Sequence, residues 1–257
     1  MQKRARVLAV ALAGFLALAA VAYAAGAFDR VNPREFDPAK SHLVQADWLS
    51  GIGCPTGVKA QVFQPPDFST TAQETVTDPA CTTGDPKDKT VQGLLLAKTG
   101  PTANNASATA KLENVPSNVT ELGYDIRKPG TDTAAGPRGS HCGAGAPRFD
   151  IVTRSGHIFF IGCNSPPATT QTPGTGFIRL RWDGTTLAFP QRATDTPTAL
   201  SALDVRSITI VFDEGQDASG APDQFGAAIL DNVDVNGTLV GRGSGNGDDH
   251  GDDNDDD

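Results

Sequence analysis

The residues able to do chemistry in this chain are few and widely spaced. Cys54, Cys81, Cys142 and Cys163 form an even set without a C-x-x-C pair, a pattern that points to two structural disulfides and away from a thiolate metal site or redox centre. Of the three possible connectivities, Cys54 with Cys81 and Cys142 with Cys163 close sequence-local loops and are the expected pairs, each contributing about 3 kcal/mol. His42, His141, His157 and His250 lack metal-ligand spacing, and there is no G-x-S-x-G elbow, no H-E-x-x-H pair and no phosphate-binding glycine loop. Asp213 and Glu214 are adjacent acids between a strand-like run and a glycine, where a solvated loop is the simpler reading than an acid–base dyad. Asn232 to Gly237 imitates the start of an EF-hand loop, but Asn replaces the first Asp and Gly243 stands where the bidentate Glu belongs. No catalytic residue is assigned.

Two binding candidates come from strand parity. The run 177–182 alternates, placing Ile178, Leu180 and Trp182 on one face and Phe177, Arg179 and Arg181 on the other. Two guanidiniums beside an aromatic ring could hold an anionic sugar, whereas charged residues on the wet face of a sandwich are the bland alternative. In the run 227–235, parity places Asp231 inward with Ile229, Val233 and Val235, leaving Leu230, Asn232 and Asp234 outward. An inward carboxylate needs a partner, because an isolated buried charge is too costly. An Arg or a β-bulge that turns the side chain out would satisfy it.

The elements that would position these residues are strands. The chain has 28 Gly and 18 Pro with 38% hydrophobic residues, and short apolar runs of period two recur between Gly, Pro, Asn and Ser clusters. Strands are expected over 43–48, 59–63, 91–98, 106–112, 119–127, 148–154, 157–163, 177–182, 207–212 and 227–235, with Ser155-Gly156 closing a hairpin. The fold class is all-β: a single antiparallel β-sandwich with long loops and two disulfides. The Thr/Pro/Asp-rich stretch 65–89 reads as a surface excursion pinned by the first disulfide.

Lys3, Arg4 and Arg6 precede an apolar run over 7–21, and Ala22-Tyr23-Ala24 ends it with small residues at −3 and −1. This predicts a signal peptide over 1–24, cleaved after Ala24, and a secreted or cell-surface protein without membrane insertion. The rival is an uncleaved anchor over 7–25, where nine of nineteen residues are Ala and favour hydrocarbon only weakly. An N-terminal extension over 25–41, the sandwich over 42–241 and a disordered acidic tail over 242–257 complete the domain plan. Lys and Arg number 21 against 30 Asp and Glu, for a net charge of −9. That balance speaks against non-specific binding to nucleic acid.

The segment Ala227-Ala228-Ile229-Leu230-Asp231-Asn232-Val233-Asp234-Val235, preceded by Ser207-Ile208-Thr209-Ile210-Val211-Phe212-Asp213-Glu214-Gly215, resembles the closing strands of galactose-binding-like jelly rolls, an ending shared by families of carbohydrate-binding modules. Pro147-Arg148-Phe149-Asp150-Ile151-Val152-Thr153 and Phe159-Phe160-Ile161-Gly162-Cys163 look like uncharacterised exported bacterial proteins of this shape. The resemblance implies a jelly roll, a polysaccharide or cell-envelope glycan as partner, and a structural calcium ion near Asp231, for which oxygen ligands are the right chemistry. The usual cluster of exposed aromatics is missing: beyond the signal and the Phe residues only Trp48, Trp182 and Tyr124 occur. A non-catalytic glycan-binding or envelope-associated module is therefore the expected function. A structural or adhesive surface protein and a secreted hydrolase are the alternatives.

Overall fold

Strands that alternate with period two bury one face each, so two sheets of them must close on one another. The computed structural model describes residues 28–63, 71–100, 102, 106–128, 147–162, 165, 169–170, 176–213 and 226–243. In chain order its strands are β1 (Arg30–Phe36), β2 (Val44–Leu49), β3 (Val58–Phe63), β4 (Thr71–Val76), β5 (Gly93–Lys98), β6 (Ser107–Glu113), β7 (Glu121–Arg127), β8 (Arg148–Thr153), β9 (Ile158–Gly162), β10 (Thr169–Thr170), β11 (Ile178–Asp183), β12 (Leu187–Pro190), β13 (Thr198–Ala199), β14 (Val205–Phe212), β15 (Gly226–Val235) and β16 (Thr238–Val240). The first sheet runs β1-β6-β14-β8-β9-β12-β13, the second β10-β11-β7-β15-β5-β2 with β16 on β15, and β3 pairs with β4 alone. All the pairings between these strands are antiparallel.

The inner faces meet in one apolar core. Ala108, Ala110, Leu112, Phe149, Ile151, Ile208, Ile210 and Phe212 come from the first sheet, and Leu94, Leu96, Leu122, Tyr124, Ile126, Leu180 and Trp182 from the second. Tyr124, Phe149 and Trp182 stack across the middle at 5.2–5.9 Å between ring centroids. Their polar ends are satisfied: Tyr124 Oη donates to Pro147 O at 2.8 Å and Trp182 Nε1 to Ser165 O at 3.2 Å. Such rings each bury far more area than an aliphatic side chain and anchor the contact between the sheets.

The hairpin expected at Ser155-Gly156 joins β8 to β9, with Gly156 at φ 83°. Two expectations need correction. The sandwich begins before residue 42, because Arg30–Phe36 pairs along its whole length with β6 and buries Val31. Pro33 and the surrounding charges broke its alternation in sequence, yet an edge strand tolerates a proline whose missing N–H would face outward. The strand expected from residue 91 begins at Gly93, since Val91 has φ 55°. The Cys54–Cys81 bridge is present, so one of the two expected disulfides is seen. Cys142 and Cys163, the signal segment 1–24 and the tail from 244 lie outside the described residues.

Residues 50–63 and 71–92, between β2 and β5, form a strap over the outer face of the second sheet. Cys54, Ala80 and Cys81 pack on Phe177 and Ile229 as a small second apolar cluster. The Cys54 amide donates to Asp231 Oδ2 at 2.6 Å, Asp85 N to Asn232 Oδ1 at 2.8 Å, and Phe177 N to Asp78 Oδ2 at 3.1 Å.

Candidate functional site

Beneath the strap lies a sealed polar layer. Asp125 on β7 is fully buried and takes a two-pronged grip from Arg179, Nε to Oδ1 and Nη2 to Oδ2, both at 2.8 Å. Asn232 Nδ2 donates to the same Oδ2 at 2.9 Å. Arg179 also binds the Thr83 hydroxyl at 2.6 Å and the Thr83 carbonyl. Arg181 pairs with Asp234 Oδ2 at 2.9 Å and reaches Asp125 at 3.5 Å. Gly123 makes room for it: in register opposite Arg181, a Cβ there would sit 2.3 Å from Arg181 Cδ. Three carboxylates thus face two guanidiniums, and Asp231 is the carboxylate with no cation. Burial pushes its carboxyl up to about 8, with the Cys54 and Asn232 amides opposing the rise and Asp125 and Asp88 adding to it.

The parity expected for Asp231 does not hold along the whole strand. The register shifts between Asp231 and Asp234, with Asn232 at φ 46°. Before this bulge Ala228 and Leu230 enter the core, and after it Val233 and Val235 do. Ile229 and Asp231 therefore point to the strap side. The two oxygens of Asp231 accept the Cys54 and Asn232 amides, both at 2.6 Å. Among the described residues the one group of potential metal ligands close enough together is Cys54, Asp78 and Cys81, whose thiols are already spent on the disulfide. A cavity of about 370 Å³ beside Asp231 is lined by Thr56, Asp85, Asp88 and Asn232 among others. Its carboxylates accept backbone amides, Asp85 those of Lys87 in the strap and of Gly241 after β16, and Asp88 those of Thr90 and Gln92. Arg179 and Arg181, the candidates for an anionic sugar, are committed to the layer in the same way.

The outer face of the first sheet carries no such cover among the described residues. Alternation along β6, β14 and β8 sends Ala110, Ile210 and Ile151 inward and Lys111, Thr209 and Asp150 outward. Antiparallel register then aligns a single row across six strands: Asn32, Lys111, Thr209, Asp150, Phe160 and Phe189. At the usual strand spacing the row spans about 24 Å. Phe189 is 51% exposed. A second row runs from Arg34 through Thr109 and Val211 to Arg148 and Gly162. The Arg148 guanidinium sits 5.5 Å from the Phe160 ring centroid, binds Asp213 with both Nη atoms at 2.7 Å, and gives its Nε to Asp150 at 3.0 Å. Lys111 is held by Glu113 at 2.8 Å.

Sequence reasoning missed these residues as a site, since none of Phe160, Phe189, Arg148 or Asp150 matches a motif. The signal that could have found them in part is the Ser155-Gly156 turn, whose hairpin register sets Asp150 opposite Phe160.

No family model matches the chain, and no curated protein matches it. Among solved structures it is similar to the family 11 carbohydrate-binding module of a cellulosomal cellulase of Clostridium thermocellum, with 13% identity over 82% of this chain and 97% of that one at a TM-score of 0.32. It is also similar to a family 11 module from the same organism in complex with a β-1,3-1,4-mixed-linked tetrasaccharide, with 14% identity over 82% and 99% and a TM-score of 0.30. At these TM-scores the likeness bears on neither site nor ligand.

Proposed function

We propose that this is an exported, non-catalytic β-sandwich of jelly-roll type that binds neutral polysaccharide or cell-envelope glycan along the open face of its first sheet. The observation that carries the reading is the outward row from Asn32 to Phe189, which ends on two phenylalanine rings, one of them half exposed. Sugars present C–H faces and hydroxyl edges, and a row that offers apolar rings beside amide, hydroxyl and carboxylate groups answers both. Charge supports a neutral ligand. Lys111 and Arg148 on this face are each paired with carboxylates, and the guanidiniums Arg179 and Arg181 are enclosed on the other. Export is supported by the basic and apolar segment over 1–24 and by the Cys54–Cys81 bridge, which persists in oxidising compartments.

Affinity electrophoresis through gels containing soluble neutral polysaccharides, a β-1,3-1,4-mixed-linked glucan among them, tests the reading. Retardation of the wild type that is lost in Phe189→Ala, with an unchanged melting temperature, supports it. Unretarded migration on the whole panel, or retardation indifferent to Phe189→Ala and Phe160→Ala, overturns it.

A further inference from the structure

Within the open face, one guanidinium serves two carboxylates. Asp213 receives both Nη atoms of Arg148 at 2.7 Å, while Asp150 receives only Nε at 3.0 Å. Asp150 is thus the less completely neutralised acid, and it occupies the row position between Thr209 and Phe160. Its side chain is 25% exposed, enough to be reached from solvent and little enough to be desolvated by a ligand. The strands packed against it bring few other charges among the described residues. β9 contributes Phe160 and none, β14 leads to Asp213, and one strand further β6 brings Lys111, which Glu113 holds.

We propose that Asp150 is the specificity-determining acceptor of the open face and sets a lower pH limit on glycan binding, an inference that rests on the glycan reading of that face. Ionised, its outward lone pairs take ligand hydroxyls beside the ring of Phe160, and hydrogen bonds to a charged acceptor are the strong ones. A proton on the carboxyl replaces that charged acceptor with a weaker neutral one while Arg148 stays fixed by Asp213, so the loss is local and reversible. Burial raises the Asp150 carboxyl to about 6, Arg148 drawing it down and Asp213 pushing it further up. The transition therefore falls in mildly acid conditions.

Two measurements test the proposal. Carboxyl carbon NMR of the ligand-free protein follows Asp150 directly: a midpoint near 6 is expected, and one near 4 overturns the proposal whatever the protein binds. Affinity electrophoresis in β-1,3-1,4-mixed-linked glucan then compares pH 7.5 with pH 5. The wild type is expected to bind about tenfold more weakly at pH 5, whereas Asp150→Asn binds weakly at both. Equal wild-type binding at the two pH values, or the same pH dependence in Asp150→Asn, overturns the role of Asp150 and leaves the glycan reading standing. Absence of binding at either pH across the whole neutral panel overturns the glycan reading, and this inference with it.

Discussion

The outer faces of the two sheets are built from the same residue types and use them in opposite ways. On the second sheet Asp125, Arg181 and Asp234 are buried and pair with one another and with Arg179, which is tied to the disulfide-pinned strap through Thr83. On the first sheet Lys111, Asp150 and Arg148 stand beside exposed phenylalanine with no strap over them among the described residues. The difference teaches that arginine and aspartate on alternate positions mark a face but not its use. What decides is whether another segment of chain covers it, because a covered charge must be answered internally and an uncovered one can answer a ligand.

Removing one acid from each face should separate them most widely. Asp125→Ala leaves two guanidiniums buried without their shared carboxylate and is expected to cost about 3–5 kcal/mol. Glu113→Ala, which frees Lys111 on the open face, should cost less than about 1 kcal/mol. Urea unfolding of both variants checks this, and similar losses would mean that the second face is hydrated after all. Next in size is the strap itself. Cys54→Ser with Cys81→Ser opens a loop of 27 residues and should cost about 3.5 kcal/mol by the chain-entropy estimate. Glycan retardation at a temperature where the variant stays folded should not change, and a parallel loss of binding would couple the two faces.

Much of this contrast was legible in part. Parity put Arg179 and Arg181 opposite Ile178, Leu180 and Trp182, and the structure keeps that division. It could not tell that their face is covered, because period-two alternation reports which residues share a side and says nothing of what lies over it. The stretch 65–89 read as a surface excursion because it has few large apolar residues. Its hold on the sheet is mostly polar, through Asp78, Thr83 and Asp85, with only the small side chains of Ala80 and Cys81 in apolar contact, and so leaves no run of large hydrophobic residues. The bulge after Asp231 was legible only as an alternative, one of the ways to answer an inward carboxylate, since one inserted residue reverses parity without altering composition. The binding row depends on pairing β6 with β14 and β14 with β8, across roughly 50 to 100 residues of chain, and local signals do not carry such pairings.

A smaller effect, spread over both faces, is the pH dependence of stability. Asp231 is raised to about 8, Asp234 to about 6 and Asp150 to about 6, in each case by burial, from an ordinary value of 3.8. Between pH 4 and 8 the folded chain then binds more protons than the unfolded one, so stability falls as pH rises through that window. Burial lowers Lys128 to about 7, which acts in the opposite sense above pH 7, while hydrogen bonds lower the half-buried Asp37 and Asp183, whose effect falls below pH 4. A loss of roughly 5–10 °C in melting temperature between pH 5 and 8 is expected by calorimetry. Asp231→Asn should flatten the upper half of the curve, and Asp150→Asn only the lower half. A melting temperature that climbs over this range would show that the strap does not desolvate Asp231.

The smallest effect uses one substitution on each face and expects opposite signs. Val91 closes the strap with φ 55°, a left-handed conformation that costs a β-branched residue roughly 1–2 kcal/mol. It is held there because its carbonyl accepts the amides of both Gly51 and Gly53 at 2.9 Å, the contacts that bring Cys54 to Asp231. Glycine at this position keeps the carbonyl and removes the strain, while the added freedom of the unfolded chain takes back about 0.5–1 kcal/mol. Val91→Gly is therefore expected to stabilise by about 0.5 kcal/mol. Val152 lies in ordinary extended backbone within β8 on the open sheet, so Val152→Gly gains no relief from strain and should destabilise by about 1 kcal/mol. Chemical denaturation of the two variants measures the difference, and a loss at Val91 as large as that at Val152 would mean that the strap, once pinned by its disulfide, no longer depends on this turn.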